Sequence, residues 1–123
     1  MNNHFILLHK IENNSLVGIN VNDIVCVSRD NQIKKSFIYL TGREKNMISV
    51  NETPNDILKR IGDSRKFILV HSQSRNNEIL LPNDLVVLIT EQDKSSSITI
   101  NNEMFAVFTV NESLTSIVNK LNQ

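Results

Sequence analysis

The chain has no tryptophan, one cysteine, two prolines and three glycines in 123 residues. The lone cysteine, Cys26, leaves no disulfide framework within the chain, which suits a reducing compartment. The glycines, Gly18, Gly42 and Gly62, lie far apart, so there is no glycine-rich phosphate loop. Aromatics make up only 5%, so a core has to rest on Ile, Leu and Val, and a hydrophobic content of 40% suffices for one. Charge of one sign is missing too: 13 basic and 13 acidic side chains cancel. Residues 1–62 carry 8 basic and 6 acidic side chains and residues 63–123 carry 5 and 7, too even a split for a long-range field. Non-specific nucleic-acid binders carry a basic face, and the balance argues against that role. No apolar run approaches the roughly 20 residues of a membrane span. The N-terminus lacks the basic, apolar and small-residue regions of a secretory signal.

What is present is a phrase said twice. Ile48-Ser49-Val50-Asn51-Glu52-Thr53 is echoed 60 residues later by Phe108-Thr109-Val110-Asn111-Glu112-Ser113. In both places an alternating strand meets Asn-Glu and a hydroxyl residue. Apolar residues then recur at helical spacing: Ile57, Leu58 and Ile61, then Ile117, Val118 and Leu121. Thr53 and Ser113 are the expected helix caps, with Pro54 at the first helical position and Gly62 at the end of the first helix.

The strands read as Phe5–His9, Leu16–Val21, Ile24–Ser28, Phe37–Leu40 and Met47–Val50, with hairpin turns such as Thr41–Glu44 and a polar loop at Arg29–Ser36. The pattern restarts at Phe67–His71. Asn83-Asp84-Leu85-Val86 copies Asn22-Asp23-Ile24-Val25 at a shift of 61, which sets Val87 against Cys26 and Pro82 against Val21. Thr90–Ser97 reads as a polar loop, Ile98–Ile100 as a strand and Asn101-Asn102-Glu103 as a turn. The expected fold is α+β: two tandem repeats, residues 1–63 and 64–123, each an antiparallel β-meander followed by one C-terminal α-helix. A unit of this size alone is marginal, so the two should share a core as a pseudo-twofold pair.

Three stretches carry a family resemblance. Ile19-Asn20-Val21-Asn22-Asp23-Ile24, Ile38-Tyr39-Leu40-Thr41-Gly42-Arg43, and Val50-Asn51-Glu52-Thr53 with Ile57 resemble the strand entry, hairpin and strand-to-helix step of the short FlbD family of flagellar proteins and their phage-borne relatives. The first repeat is covered almost end to end, the second more loosely. The last strands and helix also resemble the LytTR DNA-binding domain. The first resemblance implies a small interaction or structural protein of a bacterium or its phage. Its place would be the cytoplasm of a bacterial or phage-infected cell, or a virion. The second implies a nucleic-acid-binding regulator.

Chemistry-bearing residues are sparse. His9 and His71 hold equivalent strand ends; they lack a third ligand at suggestive spacing, so a metal site is not expected. Glu52 and Glu112 stand beside helix N-termini, where acidic side chains complement the dipole. Asp23 and Asp84 follow Asn and read as Asx turns. Cys26, in the most apolar strand, reads as a buried small hydrophobe. The only basic concentration is Lys34 and Lys35 in a loop with Lys59, Arg60, Arg65 and Lys66 near the first helix end. These are the candidate contacts for nucleic acid or a partner, set against a solvated helix C-terminus. No catalytic constellation and no cofactor motif stands out. The expectation is a non-enzymatic module that works with protein partners or by self-association, with nucleic acid the less favoured alternative and no membrane.

Overall fold

The computed structural model describes residues 4–42, 46–101 and 107–123. Ten strands and two helices follow in order: β1 (Phe5–His9), β2 (Leu16–Asn20), β3 (Ile24–Asp30), β4 (Lys35–Leu40), β5 (Met47–Val50), α1 (Pro54–Ile61), β6 (Phe67–His71), β7 (Glu78–Pro82), β8 (Val86–Gln92), β9 (Ser95–Ile100), β10 (Val107–Val110) and α2 (Leu114–Leu121). The class is α+β, with antiparallel sheets throughout. Short 3-10 turns at Val21–Asp23 and Asn83–Leu85 precede β3 and β8.

Local chemistry accounts for the helices. The Thr53 and Ser113 hydroxyls accept from the amides of Asp56 and Ser116, at 3.1 and 3.2 Å. Gly62 ends α1 at φ 59°, where a side chain would be strained, and its amide reaches the Leu58 carbonyl. Ile57, Ile61 and Ile117 turn fully inward. Each such side chain contributes about 1.5–3 kcal/mol by leaving water.

The sheet order carries the architecture. One sheet runs β5-β4-β3-β7-β6, crossing the expected boundary at residue 63; the others are β1-β2 and β10-β9-β8. Single bridges, Lys10 to Val50 and Ser72 to Val110, draw β1 onto β5 and β6 onto β10. Two aliphatic clusters result. One gathers Ile6, Leu8, Ile19, Val21, Ile24, Val27, Ile38, Val50, Ile57 and Ile61, together with Leu80 from β7. The other gathers Ile68, Val70, Ile79, Leu81, Ile98, Ile100, Val110 and Ile117, together with Val25 and Cys26 from β3. No aromatic side chain is fully buried among the described residues, as the composition leads one to expect.

A β-bulge explains how one strand serves both clusters. The β3–β4 register slips between Ile24 and Cys26. Two successive residues, Val25 and Cys26, therefore turn to one face, while Ile24 and Val27 turn to the other. β8 slips in the same way between Val86 and Leu88.

Several expectations are corrected. Phe5 pairs with Asn20 and Phe67 with Pro82, and Cys26 lies opposite Tyr39 as Leu88 lies opposite Thr99. The counterparts of Asn20, Val25 and Cys26 are therefore Pro82, Val87 and Leu88, at a shift of 62 and not 61. The polar stretch Thr90–Ser97 is mostly strand, and Arg29–Ser36 is half strand, with the turn confined to residues 31–34. β3 and β4 are joined by residues 31–34 and β8 and β9 by residues 93–94, which is where the shift falls to 60. Polar side chains misled the reading there, because serines at 95, 96 and 97 are buried in the ladder. Val21 leaves the strand for the 3-10 turn, which Asn20 caps through its side chain on the Asn22 amide at 3.1 Å. In the expected hairpins, Arg43 and Glu44, and Asn102 and Glu103, lie outside the described residues; Gly42 has φ 119°. A twofold pair would match β3–β7 with a β2–β8 pairing. Among the described residues β2 has only β1 beside it and β8 only β9.

Candidate functional site

The two glutamates do more than face a helix dipole. The Glu52 carboxylate accepts from the His9 amide at 3.0 and 3.1 Å and from His9 Nδ1 at 2.7 Å. Glu112 repeats this on His71, with 3.0 Å to the amide and 2.7 Å to Nδ1. A carboxylate only accepts, so each ring presents its Nδ1 proton. Arg60 adds a contact of 3.2 Å to Glu52. Burial by itself pushes the Glu52 carboxyl up; the His9 amide and ring outweigh it, Arg60 helps, and the group sits below its ordinary value. Glu112 is likewise raised by burial and lowered further by the His71 ring and amide. Each pair ties the end of the first strand of its half to the strand-to-helix junction, beside the Lys10–Val50 and Ser72–Val110 bridges. The histidines are thus not plain solvent-side residues: each ring is held by its own glutamate. The two histidines and the two glutamates each stand out as a duplicated pair, but His9 lies 43 residues from Glu52 and His71 lies 41 from Glu112. What was missing was the contact between distant segments.

Asp23 accepts from the Thr41 hydroxyl at 3.1 Å and Asp84 from Arg65 at 2.9 Å, so both carboxylates reach segments distant in the chain. Cys26 is 1% exposed, and burial pushes its thiol up to about 12, which keeps it protonated and inert as a nucleophile. Among the described residues no group of three or more His, Cys, Asp and Glu side chains is placed to hold a metal ion. None of their helices is long and apolar enough to cross a membrane.

The basic residues fall into two groups. Lys34 and Lys35 sit at the β3–β4 turn, where Asp30 pairs with Lys35. Arg65 sits at the other end of that hairpin, donating to the Val21 and Ile24 carbonyls at 2.9 and 2.8 Å. A strand of this length puts about 20 Å between the two ends. Arg60 is tied to the Leu7 carbonyl and Glu52, and Lys66 to the Gln123 carbonyl. Lys59 lies on the exposed side of α1. The structure does not gather the six into one patch.

What stands out instead is apolar surface at two strand edges. On the β1–β2 hairpin, Phe5, Leu7 and Leu16 are 60%, 57% and 59% exposed. On the β8–β10 sheet, Val87, Leu88 and Val107 are 62%, 58% and 59% exposed. β2 and β8 are both bare on one side among the described residues. Beside β2 runs a groove of about 280 Å³, lined by Phe5, Val17, Gly18, Ile19, Leu40 and Ile48 with polar neighbours. An apolar strand edge is a template for pairing with another chain. The sequence reads Phe5, Leu7 and Leu16 as strand residues, and alternation along a strand does not say which sheet face or edge is covered.

Comparison of the chain with protein-family models, with curated proteins and with solved structures finds no match.

Proposed function

We propose that the protein is a non-enzymatic interaction or structural module of two tandem meander-plus-helix units, working through its bare strand edges. The observation that carries this is the pair of apolar edges, β2 with Leu16 on it and Phe5 and Leu7 beside it, and β8 with Val87 and Leu88 on it. Strand addition supplies backbone hydrogen bonds for affinity and side-chain pockets for specificity. In this reading residues 1–63 and 64–123 are the two units, joined by β3 and β7, and the His9–Glu52 and His71–Glu112 pairs hold each unit closed. A bacterial or phage assembly, including a virion, is the setting that the FlbD-like motifs suggest.

The test is co-purification from native extract with the wild-type chain and with a variant carrying aspartate at Phe5, Leu7, Val87 and Leu88. Complexes that form with the first and vanish with the second support the reading. Complexes that survive all four substitutions remove it.

The alternative is a nucleic-acid-binding regulator of LytTR type, using Lys34, Lys35 and Lys59 with Arg60, Arg65 and Lys66. It predicts a DNA shift that weakens steeply with salt, because phosphate contacts release counterions. The dispersal of these residues, and the internal bonds of Arg60, Arg65 and Lys66, favour the first reading.

A further inference from the structure

The chain carries its own template for what should cover the bare edges. β3 pairs antiparallel with β7, with Val27 opposite Leu80 and Ser28 opposite Ile79. Two sets of apolar side chains cross that join. Phe67, Leu69 and Leu80 pack on the first cluster. Val25 and Cys26 pack into the second, among Ile79, Leu81 and Ile100, with Phe108 alongside.

By strand register, each of these residues has a counterpart. Phe67, Leu69 and Leu80 correspond to Phe5, Leu7 and Gly18. Val25 and Cys26 correspond to Val87 and Leu88, at the same bulge. The first set is exposed on the β1–β2 hairpin and the second on β8, at the two ends of the strand order β2-β1-β5-β4-β3-β7-β6-β10-β9-β8 that the bridges complete. The site that receives Val25 and Cys26 is built by Ile79, Leu81, Ile100 and Phe108, and their counterparts are Val17, Ile19, Leu40 and Ile48. Those four line the open groove beside β2. The knobs and the hole of one interface thus stand free at opposite ends of one chain. Leu88 is larger than Cys26, and Val17 is smaller than Ile79, so the side chains change in compensating directions.

Resting on the reading that the strand edges are the working surface, we infer that copies of this chain assemble head to tail. β8 of one copy pairs antiparallel with β2 of the next, with Ile89 opposite Gly18 and Thr90 opposite Val17. Val87 and Leu88 fill the groove, and Phe5 and Leu7 cover the far side of the join. The contact is heterologous, two different surfaces meeting, so it propagates to a closed ring or an open filament and does not stop at a twofold dimer.

The test uses the purified full chain and light scattering on a size-exclusion column over a range of concentrations. The wild type is expected to run as a ring or a growing assembly. Aspartate at Val87 and Leu88 blocks one end, aspartate at Phe5 and Leu7 blocks the other, and each double variant should run as a monomer. Mixed, the two should form a one-to-one pair of twice the monomer mass and nothing larger, because only one productive joint is left. A mixture that stays monomeric while the wild type assembles, or blocked variants that assemble as the wild type does, overturns the inference. So does a wild type that is monomeric throughout; if that monomer still forms edge-dependent complexes in extract, the function reading stands and only the choice of a second copy fails.

A second measurement does not depend on the aspartates. With Val17→Cys and Thr90→Cys in one chain, oxidation should give a ladder of disulfide-linked chains, since directly opposed strand residues lie within disulfide reach. A link within a single chain, or equal linking when Gln92→Cys replaces Thr90→Cys, overturns the proposed register.

Discussion

Val25 and Val87 occupy the same β-bulge on the same kind of hairpin, yet the first is 0% exposed and the second 62%. Their surroundings differ in what lies across the strand edge: β7 beside β3, and no strand beside β8 among the described residues. The backbone geometry at both places follows from local sequence. The burial does not, because it depends on whether a third strand arrives. The same contrast separates Leu69, packed on the first cluster, from Leu7, 57% exposed. An interface made once inside a chain and left open at both ends is a different object from a closed pseudo-dimer.

The sharpest way to test this contrast is one substitution at both bulges. Val25→Asp buries an unpaired charge and is expected to cost about 4 kcal/mol in urea unfolding of the chain. Val87→Asp, measured on the monomeric chain, is expected to stay within about 0.5 kcal/mol of wild type. Equal losses at the two sites would mean that β8 is covered within the chain.

The carboxylate latches allow a finer comparison. Glu52→Gln is expected to cost about 1.5–3 kcal/mol, as for hydrogen bonds to a charged group. Glu112→Gln should cost less, because Arg60 bridges Glu52 and no such guanidinium contact reaches Glu112 among the described residues. Both carboxyls are held below the ordinary 4.5 in the folded chain. Their contribution is therefore complete above that value and lost as pH falls through the folded one. Thermal melts below pH 4.5 should show a steeper fall for wild type than for the double glutamine variant. Parallel curves would remove the latches from the acid response.

The smallest effect concerns the caps. Thr53→Ala and Ser113→Ala should each cost about 1 kcal/mol, read by urea melts. The two losses should match, since each hydroxyl accepts one amide at 3.1 or 3.2 Å. A much larger loss at Thr53 would show that α1, which lies against β6 and β7 as well as β3, holds the halves together.

Much of the secondary structure was legible in the chain. Phe5–His9, Met47–Val50, Pro54–Ile61 and Phe67–His71 have the expected bounds because apolar period, caps and glycine act over a few residues. Polar strands were not legible: Ser95–Ser97 read as loop, since a serine's polarity does not say whether the strand that carries it is buried. Of the candidate site, the residues were noticed but not their partners. His9 and Glu52 stood out separately, 43 residues apart, and only the Lys10–Val50 closure brings them together. The apolar edge residues were noticed as strand, not as surface.

Composition, caps and the duplicated strand-to-helix phrase by themselves determined an α+β chain with an aliphatic core and a buried, unreactive Cys26. These follow from interactions among near neighbours and from transfer of side chains out of water. Which strands pair across the halves, which apolar residues remain at an edge, and which histidine meets which glutamate were decided only by the tertiary structure. Those outcomes depend on contacts between segments tens of residues apart, and a period of two along a strand is the same whether its edge is covered or bare.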